Sequence, residues 1–351
     1  MRKLLILNTD LELGGTPRVV EQLARRLRST RPGPNPLEVH VACLAGLGPV
    51  GHALLEAGIP VTALDATGPA AVVPVVARLA ALVEQQGIDT MLSFLVHANA
   101  VAAAVATLTG VKHLQSIQTT QPEPAWHWRV QGLVHRASSR VIVPSASIAE
   151  AARRRAGIGA GKLVLIPNAV DLPAEALPVR DTGGEVRIGF LGRLDPVKRV
   201  PLLVHAMRSL PMRYTLHIFG DGPARRDVLE AASGLHRGQF THHGYADRDA
   251  ALAQLDVLVL PSLAEGCPMV LLEAMAAGVP VVGTDAPGIR DVIEDGVTGL
   301  LTPPGRLAEA LRQLGEDALL RRRLAAAARR RVADRFTWQQ TLPAWQSSLK
   351  A

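Results

Sequence analysis

The sequence contains few cysteines and few aromatic residues, and each shortage excludes a class of protein. Its two cysteines, Cys43 and Cys267, lie far apart and lack the spacing of metal ligands. Neither a disulfide-stabilised fold nor a zinc site is predicted, and the reducing cytoplasm is the expected location. Only 3% of the residues are aromatic, and no helix-turn-helix or RNA-binding signature is present. Few rings are therefore available to stack on bases, and nucleic acid is not an expected partner.

No stretch of the sequence predicts a membrane span. Residues 90–111 carry no formal charge over a length that could cross a bilayer. His97 and Asn99 interrupt this run, which divides into a strand and an alanine-rich helix ending at Gly110. The apolar run at the N-terminus turns polar at once, which predicts a first strand rather than a signal peptide.

The chain also lacks a basic tail, because its net charge of +7 is spread about evenly along its length. The densest basic runs, residues 153–155 and 329–331, are arginine triplets within helical patterns. Solvated helix faces are the favoured interpretation. Attraction to anionic lipid or to a phosphorylated ligand is the alternative, so peripheral contact with the cytoplasmic face of a membrane stays open.

A regular alternation of predicted strands and helices fills the 351 residues. This length suits two domains, and the apolar residues, mostly Ala, Val and Leu, suit parallel strands covered by helices. We therefore predict an α/β fold with two doubly wound parallel sheets and a ligand crevice between them. A stretch rich in proline, glycine and acidic residues predicts the linker. The predicted parts are a first domain at 1–172, a linker at 173–184 and a second domain at 185–335.

The most informative stretch is residues 261–280, which follow a predicted buried strand at 257–260. A helix is expected to begin with Pro268 at its first position, where a proline loses no hydrogen bond, and to end at Gly278. The amides of its first turn lack intrahelical acceptors, and the helix dipole adds positive potential there. A phosphate or diphosphate site is therefore predicted at this end. The residues expected to form it are Gly266, Pro268, Met269, Val270 and Leu271.

Two carboxylates flank this predicted phosphate site. Glu265 lies in the loop just before the helix, and Glu273 lies one turn above Met269 on the same helix face. At that position Glu273 is suited to accept hydrogen bonds from a pair of sugar hydroxyls. An ordinary strand, loop and helix with two solvated glutamates is the alternative.

Two basic residues follow another predicted strand, at 186–191. Gly192 begins the loop after this strand, and Arg193 and Lys198 project from the loop before the next helix. The carboxyl ends of parallel strands share one edge of a sheet, so both cations are expected beside the phosphate site. Fixed cations there would neutralise a diphosphate leaving group.

Residue types and spacing in these stretches resemble the paired-glutamate signature of retaining glycosyltransferases of group 1, or family 4. Members of this family have the GT-B fold, with two facing Rossmann-like domains. Glu265 and Glu273 fall at the two ends of the signature, and residues 192–199 are similar to the family's phosphate-clamping loop. The resemblance implies that Glu273 holds the ribose, that Arg193 and Lys198 hold the diphosphate, and that Glu265 lies beside the transferred sugar.

A glycine pair follows the strand predicted at 2–8. Gly14 and Gly15 precede a helix that is expected to have Thr16 as its cap and Pro17 at its first position. Glycine lets a ligand approach the backbone closely, although the geometry of a tight turn alone also explains the pair. The pair is similar to the family's N-terminal loop, which implies a contact with the donor phosphate.

The resemblance extends over nearly the whole chain. The last matching segment is the family's closing motif, which implies that the final helix, at about 336–351, crosses back onto the first domain. Backbone groups near Tyr245 are implied to contact the nucleotide base. Ala169 stands where the family usually has a glycine. The further matching segments are residues 166–171, 220–223, 243–245 and 336–338.

One departure from the family pattern concerns the acceptor. Many members carry a histidine at the end of the strand predicted at 112–118, where this chain has Gln118. A glutamine cannot act as a base, although it can hydrogen-bond a hydroxyl. His97 is the candidate to fill that space as a catalytic group, or else it is a structural residue. Gln118 and Asn99 are assigned to the acceptor side.

The resemblance implies transfer of a sugar, with retention at the anomeric carbon, from a nucleotide-diphosphate sugar to a hydroxyl. The expected acceptor is a sugar, a lipid-linked molecule or a small molecule. The aromatic and basic stretch 121–129 either lies against this acceptor or packs on the protein. No metal or other cofactor is expected, because Arg193, Lys198 and the helix end supply positive field. The sequence Asp-Arg-Asp at 247–249 has the form of a metal-binding motif, but its place before a helix predicts a cap.

Three other functions are compatible with the sequence. A nucleotide-sugar epimerase or phosphorylase would use the same fold and ligand. A dinucleotide-dependent oxidoreductase is compatible with the glycine-rich turns, although no complete Gly-x-Gly-x-x-Gly follows the first strand. A non-catalytic carbohydrate-binding or scaffold protein would bind the donor without transferring its sugar.

Overall fold

The computed structural model describes residues 2–29, 37–66, 68, 71–121, 123–181 and 183–350. The chain divides into two units, and each is built on its own sheet. The first unit runs as far as Pro167 and resumes at Thr341, while the second unit spans Asn168–Gln340. The strand pairs of the described residues are all parallel, which confirms the predicted α/β fold with two parallel sheets.

The sheet of the first unit is formed by near-continuous apolar strands, as expected when helices cover both faces. In the first of them, Leu4, Leu5, Ile6 and Leu7 are all buried. The strands are β1 Arg2–Asn8, β2 Leu37–Cys43, β3 Val61–Ala63, β4 Thr90–Phe94, β5 Lys112–Ser116, β6 Arg140–Val143 and β7 Leu163–Leu165. Their order, β3-β2-β1-β4-β5-β6-β7, reverses direction between β1 and β4. Ligands of open α/β sheets bind at the carboxyl ends of strands near such a reversal.

Helices connect these strands, and glycines end several of them in the left-handed conformation. Gly110, with φ of 73°, ends the helix within the uncharged stretch 90–111, which forms a strand and a helix as predicted. No described helix combines the length and the apolar character that crossing a membrane requires. The helices are α1 Gly15–Ser29, α2 Gly48–Glu56, α3 Val72–Gln86, α4 Val96–Thr109, α5 Trp126–Val134 and α6 Ala146–Ala156.

The second unit repeats the same architecture with a smaller sheet. Its strands are β8 Val186–Leu191, β9 Tyr214–Phe219, β10 Phe240–Gly244, β11 Val257–Leu260, β12 Val281–Thr284 and β13 Leu300–Thr302, in the order β10-β9-β8-β11-β12-β13. The reversal lies between β8 and β11, so the loops after these two strands meet at the carboxyl edge. The helices are α7 Val200–Met207, α8 Arg225–Ala232, α9 Arg248–Ala253, α10 Met269–Ala277, α11 Ile289–Val292, α12 Leu307–Glu316 and α13 Ala318–Arg335.

The last helix, α14 Trp338–Lys350, belongs to the first unit from Thr341 onward. Trp345 is buried there, and its ring lies 6.1 Å from that of Phe94 in β4. Lys112 Nζ donates to the carbonyl oxygen of Leu349 at 3.2 Å. These contacts complete the core of the first unit with residues from the far end of the chain.

The segment predicted as the linker, 173–184, differs from that prediction. The chain first passes from the first unit to the second at residues 167–168, so the described part of the segment belongs to the second unit. Arg180 anchors it there through an ion pair of 2.8 Å with Asp256, whose side chain is almost fully buried. Its proline and acidic content therefore marks an irregular strap rather than a free connection; Thr182 lies outside the described residues.

A buried polar network runs through the core of the first unit. Ser93 Oγ donates to Asn99 Oδ1 at 2.7 Å and lies 2.7 Å from His113 Nε2. His113 Nδ1 lies 3.0 Å from Ser138 Oγ, and Asn99 Nδ2 donates to Gln131 Oε1 at 3.1 Å. Because the Ser93 hydroxyl donates to Asn99, a neutral imidazole that donates from Nε2 satisfies the network. Burial accordingly lowers the pKa of His113 to about 4.

This network predicts acid destabilisation of the first unit. Because the pKa of His113 is about 4 when folded and 6.5 when exposed, stability that is complete above pH 6.5 is lost as the pH falls through 4. A pKa difference of this size corresponds to a loss of about 3 kcal/mol in the free energy of unfolding. Urea unfolding followed by tryptophan fluorescence at several pH values measures the loss. His113→Asn should be less stable at neutral pH but fall less steeply with acid.

The exposed His52 supplies the matched control. His52→Asn should retain the full pH dependence of the wild type. An equally steep loss of stability in the His113 variant would assign the acid sensitivity to other groups.

Candidate active site

The helix at the centre of the candidate site is α10, which follows the fully buried strand β11. Gly278 ends it in the left-handed conformation with φ of 84°, as predicted. Pro268 is the N-cap rather than the first helical residue, because its ψ of 115° is extended. Its carbonyl oxygen accepts from the amides of Leu271, at 3.2 Å, and Leu272, at 3.3 Å.

The start of α10 corrects one further prediction. Leu271 is not an available donor, because its amide forms a tight first-turn bond to Pro268. Among the described residues no acceptor is hydrogen-bonded to the amides of Met269 and Val270. Two amides at the positive end of the helix dipole therefore remain for an anion.

Glu265 is the best-anchored side chain of the site. Its Oε1 lies 2.6 Å from Lys198 Nζ and accepts from Ser262 Oγ at 2.7 Å, and the residue is only 8% exposed. Its own amide donates to the carbonyl oxygen of Pro287 at 3.1 Å. The carboxylate is thus held in one orientation just before α10, with a cation against it.

Lys198 reaches Glu265 because of the loop after β8. Pro196–Lys198 form one turn of 3-10 helix, and Arg199 follows in the left-handed conformation with φ of 51°. The carbonyl oxygen of Val197 accepts from the amide of Leu263 at 2.8 Å, which ties this turn to the loop after β11. The structure therefore brings Lys198 to the start of α10, as the sequence predicted.

Arg193 is placed differently from Lys198. Its guanidinium is exposed and its Nε lies 2.8 Å from Asp195 Oδ2 in the same loop. Of the two predicted cations, Lys198 faces Glu265 directly, whereas Arg193 is paired within its own loop. An exposed ion pair is weak, so Arg193 can exchange Asp195 for another anion at little cost.

Glycines let the loops after β8 and β9 run side by side. Gly192 donates its amide to the carbonyl oxygen of Phe219 at 3.0 Å, and Leu194 donates to that of Asp221 at 2.9 Å. A Cβ atom on Gly220, which has φ of 122°, would lie 2.1 Å from the carbonyl oxygen of Gly192. Only glycine allows this approach, and it sets the path from Gly192 to Lys198.

The end of β10 continues this layer of loops. Gly220 donates its amide to the carbonyl oxygen of Gly244 at 2.6 Å, and Gly244 turns the chain with φ of 67°. Tyr245, the residue implied to lie beside the base, follows immediately and is 65% exposed. Its backbone stands at the carboxyl edge of the sheet, in the same row as the loops after β8 and β9.

Glu273 has a partner that sequence reasoning missed. Arg248 Nη1 lies 3.1 Å from Glu273 Oε1, and the Glu273 side chain is 9% exposed. In the Asp-x-Asp pattern around Arg248, Asp247 accepts from the amide of Ala250 at 2.9 Å and caps α9, as predicted. Asp249 pairs with Arg248. The sequence around Arg248 gives no indication of this pairing, because Glu273 lies beyond the next strand and the loop that follows it.

In the first unit, the glycine pair adjoins a helix N-terminus. The helix α1 begins at Gly15, so Thr16 and Pro17 lie inside its first turn instead of capping it. The difference arises because the carbonyl oxygen of Gly14 accepts from the amide of Arg18 at 3.2 Å, which extends the helix. Both glycines are exposed at the carboxyl edge of this sheet.

His97 lies on the surface in the first turn of α4, among other rings. Its ring lies edge-on to Trp126, at 5.8 Å between centroids, and to His127, at 5.6 Å. Leu95 precedes this turn with φ of 70°, a left-handed value that is unusual for leucine. Such strain marks functional turns. Trp126 is 48% exposed, so part of the stretch 121–129 is open to solvent.

The two residues assigned to the acceptor side fall in different environments. Asn99 is fully buried, and its amide donates to the carbonyl oxygen of Ser116 at 2.9 Å within the polar network of the core. The prediction that Asn99 contacts the acceptor is therefore wrong, and Asn99 has a structural role. Gln118 is half-buried after β5, and its Nε2 donates to Ser116 Oγ at 2.8 Å.

One arginine triplet serves the packing of the second unit. Arg329 donates to the backbone carbonyl oxygens of Ala276 and Pro173, and Arg331 donates to that of Val292 at 2.9 Å. These guanidiniums bridge the carboxyl ends of helices to neighbouring segments. The solvated-face interpretation of residues 329–331 is thus corrected: two of its three arginines bind backbone oxygens.

Two family models match the chain and together span both units. Residues 13–173 match the model described as Glycosyltransferase Family 4, and residues 185–317 match the model described as Glycosyl transferases group 1. The chain therefore belongs to the group 1 and family 4 glycosyltransferases, as the resemblance predicted.

Curated relatives and solved structures agree with this family. Sulfoquinovosyl transferase SQD2 of Arabidopsis thaliana is 31% identical over 229 residues, which cover 60% of this chain and 44% of that protein. D-inositol 3-phosphate glycosyltransferase of Rhodococcus opacus is 30% identical over 260 residues, which cover 67% and 58%. The chain spans about half the length of the curated relatives it matches.

The fold is shared with proteins of much lower identity. Anabaena HepE, solved in complex with UDP and glucose, matches with a TM-score of 0.86 at 23% identity over 100% of both chains. The two parallel sheets with their helices thus define a GT-B fold.

The ion pair between Lys198 and Glu265 predicts an energetic coupling. Lys198→Met should destabilise the second unit by about 3 kcal/mol, because it removes the cation from a largely buried carboxylate. Adding Glu265→Gln should restore about 2 kcal/mol of that loss. Urea unfolding of the wild type, both single variants and the double variant measures the coupling.

The exposed pair of Arg306 and Glu309 in the same unit is the matched control. Arg306→Met should change stability by less than about 0.5 kcal/mol. Additive effects of the two site substitutions would contradict the coupling.

The close approach of the two loops predicts a steric effect at Gly220. Gly220→Ala should destabilise the second unit by about 3 kcal/mol or more, because the new Cβ meets a carbonyl oxygen and φ is positive. Gly238 also has a positive φ, of 86°, but no heavy atom lies within 4 Å of a Cβ built on it. Gly238→Ala should therefore cost only about 1 kcal/mol. Thermal unfolding of the two variants measures the difference, and an equal loss of stability in both would reject the steric argument.

Proposed function

We propose that the protein transfers a sugar from a nucleotide-diphosphate sugar to an acceptor hydroxyl, with retention at the anomeric carbon. The observation that carries this proposal is the convergence, at the start of α10, of Lys198, the Glu265 carboxylate and the amides of Met269 and Val270. Cationic and N–H groups suit the two phosphates of the donor, and a fixed carboxylate suits its sugar hydroxyls.

Family membership and fold support the same donor class. HepE, which shares the fold, was solved with UDP and with UDP-glucose, and the curated relatives carry the names of enzymes that transfer sugars. In this chain the nucleotide would lie at the carboxyl edge of the second sheet. Glu273 would hold the ribose, and the backbone at Tyr245 would contact the base, while Gly192 allows close approach of the phosphates.

The chemistry requires charge stabilisation more than proton transfer. The bond from the anomeric carbon to the phosphate oxygen breaks, and negative charge grows on the diphosphate beside Lys198 and the helix end. The acceptor oxygen bonds to the same face of the anomeric carbon, and its proton passes to the departing phosphate oxygen. No protein base is required, which is compatible with glutamine at position 118. Arg193 would give up Asp195 to reach the diphosphate.

The acceptor is proposed to lie on the first unit at the rings of His97 and Trp126. These side chains are exposed at the carboxyl edge of its sheet, where Gly14 and Gly15 also lie. A flat indole suits the apolar face of a sugar or lipid-linked acceptor. We further propose that no metal ion takes part, since Lys198, Arg193 and the helix end provide the positive field.

Turnover measurements with a panel of nucleotide sugars test the proposal. Lys198→Ala should lower kcat/KM about 100-fold by removing a cation at the leaving group, and Glu273→Ala should act mainly on donor KM. Arg306→Ala is the control outside the site. A chelator should leave turnover unchanged. Unaltered turnover in both the Lys198 and Glu273 variants would remove the site assignment.

The anomeric configuration of the product, followed by NMR from an α-linked donor, tests retention. An α-linked product supports it, and a β-linked product rejects it. Formation of an epimerised sugar nucleotide without acceptor would favour the epimerase alternative instead.

A further inference from the structure

Arg248 forms an ion pair with Glu273 in the second unit. Arg248 Nη1 lies 3.1 Å from Glu273 Oε1, and its side chain is 29% exposed against 9% for the glutamate. The pair joins the start of α9 to the middle of α10. Arg248 therefore contacts the carboxylate that holds the ribose in the proposed function.

The guanidinium of Arg248 is itself held in place. Its Nε lies 2.6 Å and its Nη2 2.9 Å from the two carboxylate oxygens of Asp249. Asp247 caps the helix that carries both residues. The hydrogen bonds to Asp249, together with the charge of Glu273, raise the pKa of Arg248, so the side chain stays charged. A bidentate arginine has a fixed plane and direction.

A carboxylate that binds a diol must be ionised and correctly turned. Each ribose hydroxyl donates to an acceptor oxygen, and a protonated or rotated carboxyl loses acceptors. A largely buried carboxylate reaches the ionised state at much lower cost when a cation is fixed beside it. An ionised carboxylate accepts about four hydrogen bonds, so an arginine on Oε1 is compatible with a diol on the same group.

We propose that Arg248 is a positioning residue for the nucleotide half of the donor: it holds Glu273 ionised and oriented to accept the two ribose hydroxyls. This inference rests on the proposed function. Arg248 acts through Glu273 and touches neither the diphosphate nor the transferred sugar. Its loss should therefore affect nucleosides with free ribose hydroxyls and spare ligands that lack them.

Calorimetric titration of the full chain tests this proposal. The probes are uridine and guanosine diphosphate, their dideoxy analogues without ribose hydroxyls, and inorganic pyrophosphate. Arg248→Met should weaken the preferred nucleoside diphosphate by about tenfold or more. Binding of the dideoxy analogue and of pyrophosphate should change less than about twofold, and Arg248→Lys should recover part of the loss. In turnover, donor KM should rise while kcat is nearly kept.

A double variant and a matched control separate positioning from general damage. Glu273→Gln alone should weaken the nucleoside diphosphate, and adding Arg248→Met should weaken it no further, because both changes act through one carboxylate. Arg180 forms an equivalent ion pair with the buried Asp256 elsewhere in the unit. Arg180→Met should therefore lower thermal stability as much as the Arg248 variant without altering nucleotide affinity.

Two outcomes would overturn the inference. One is wild-type affinity in the Arg248→Met variant; the other is an equal loss for the dideoxy analogue and pyrophosphate, which would mark general damage. Failure of the wild type to bind any nucleoside diphosphate is a different result. It would overturn the proposed function itself, and the inference with it.

Discussion

The second unit depends on a carboxylate that is buried beside the positive end of a helix. Glu265 has little access to water, and both the Lys198 ammonium and the Ser262 hydroxyl bind its Oε1. Burial makes an isolated charge costly, whereas a cation and a helix N-terminus stabilise it. The loops after β8 and β11 therefore hold each other in place. The same charges that stabilise this edge are the groups that the proposed donor would meet.

Backbone geometry makes that arrangement possible. The loops after β8 and β9 approach so closely that Gly220 has no room for a Cβ atom. Gly288 shows the same constraint on the other side, where a Cβ would lie 2.4 Å from the carbonyl oxygen of Glu265. Side chains of the site thus emerge from a layer of backbone packed on backbone. This packing gives Lys198 and Glu265 fixed positions relative to each other.

The first unit separates its structural polar groups from its exposed ones. Asn99 and His113 lie in a satisfied network inside the core, where burial keeps the imidazole neutral. His97, only two residues before Asn99 on the same helix, stands on the surface against Trp126. Both side chains are polar and both lie in the first turns of α4. Their environments differ because helical geometry turns the two positions to different faces.

Local patterns in the sequence determined the α/β fold, the run of strands, the loops that carry Glu265 and Lys198, and the helix that carries Glu273. Those patterns depend on apolar periodicity and on glycine and proline, which act over a few residues. Tertiary structure alone decided which charges meet. The partnership of Arg248 with Glu273, the burial of Asn99 and the anchoring of the strap by Arg180 all join residues from separate elements. Pair distances across elements follow from packing, and no single segment encodes them.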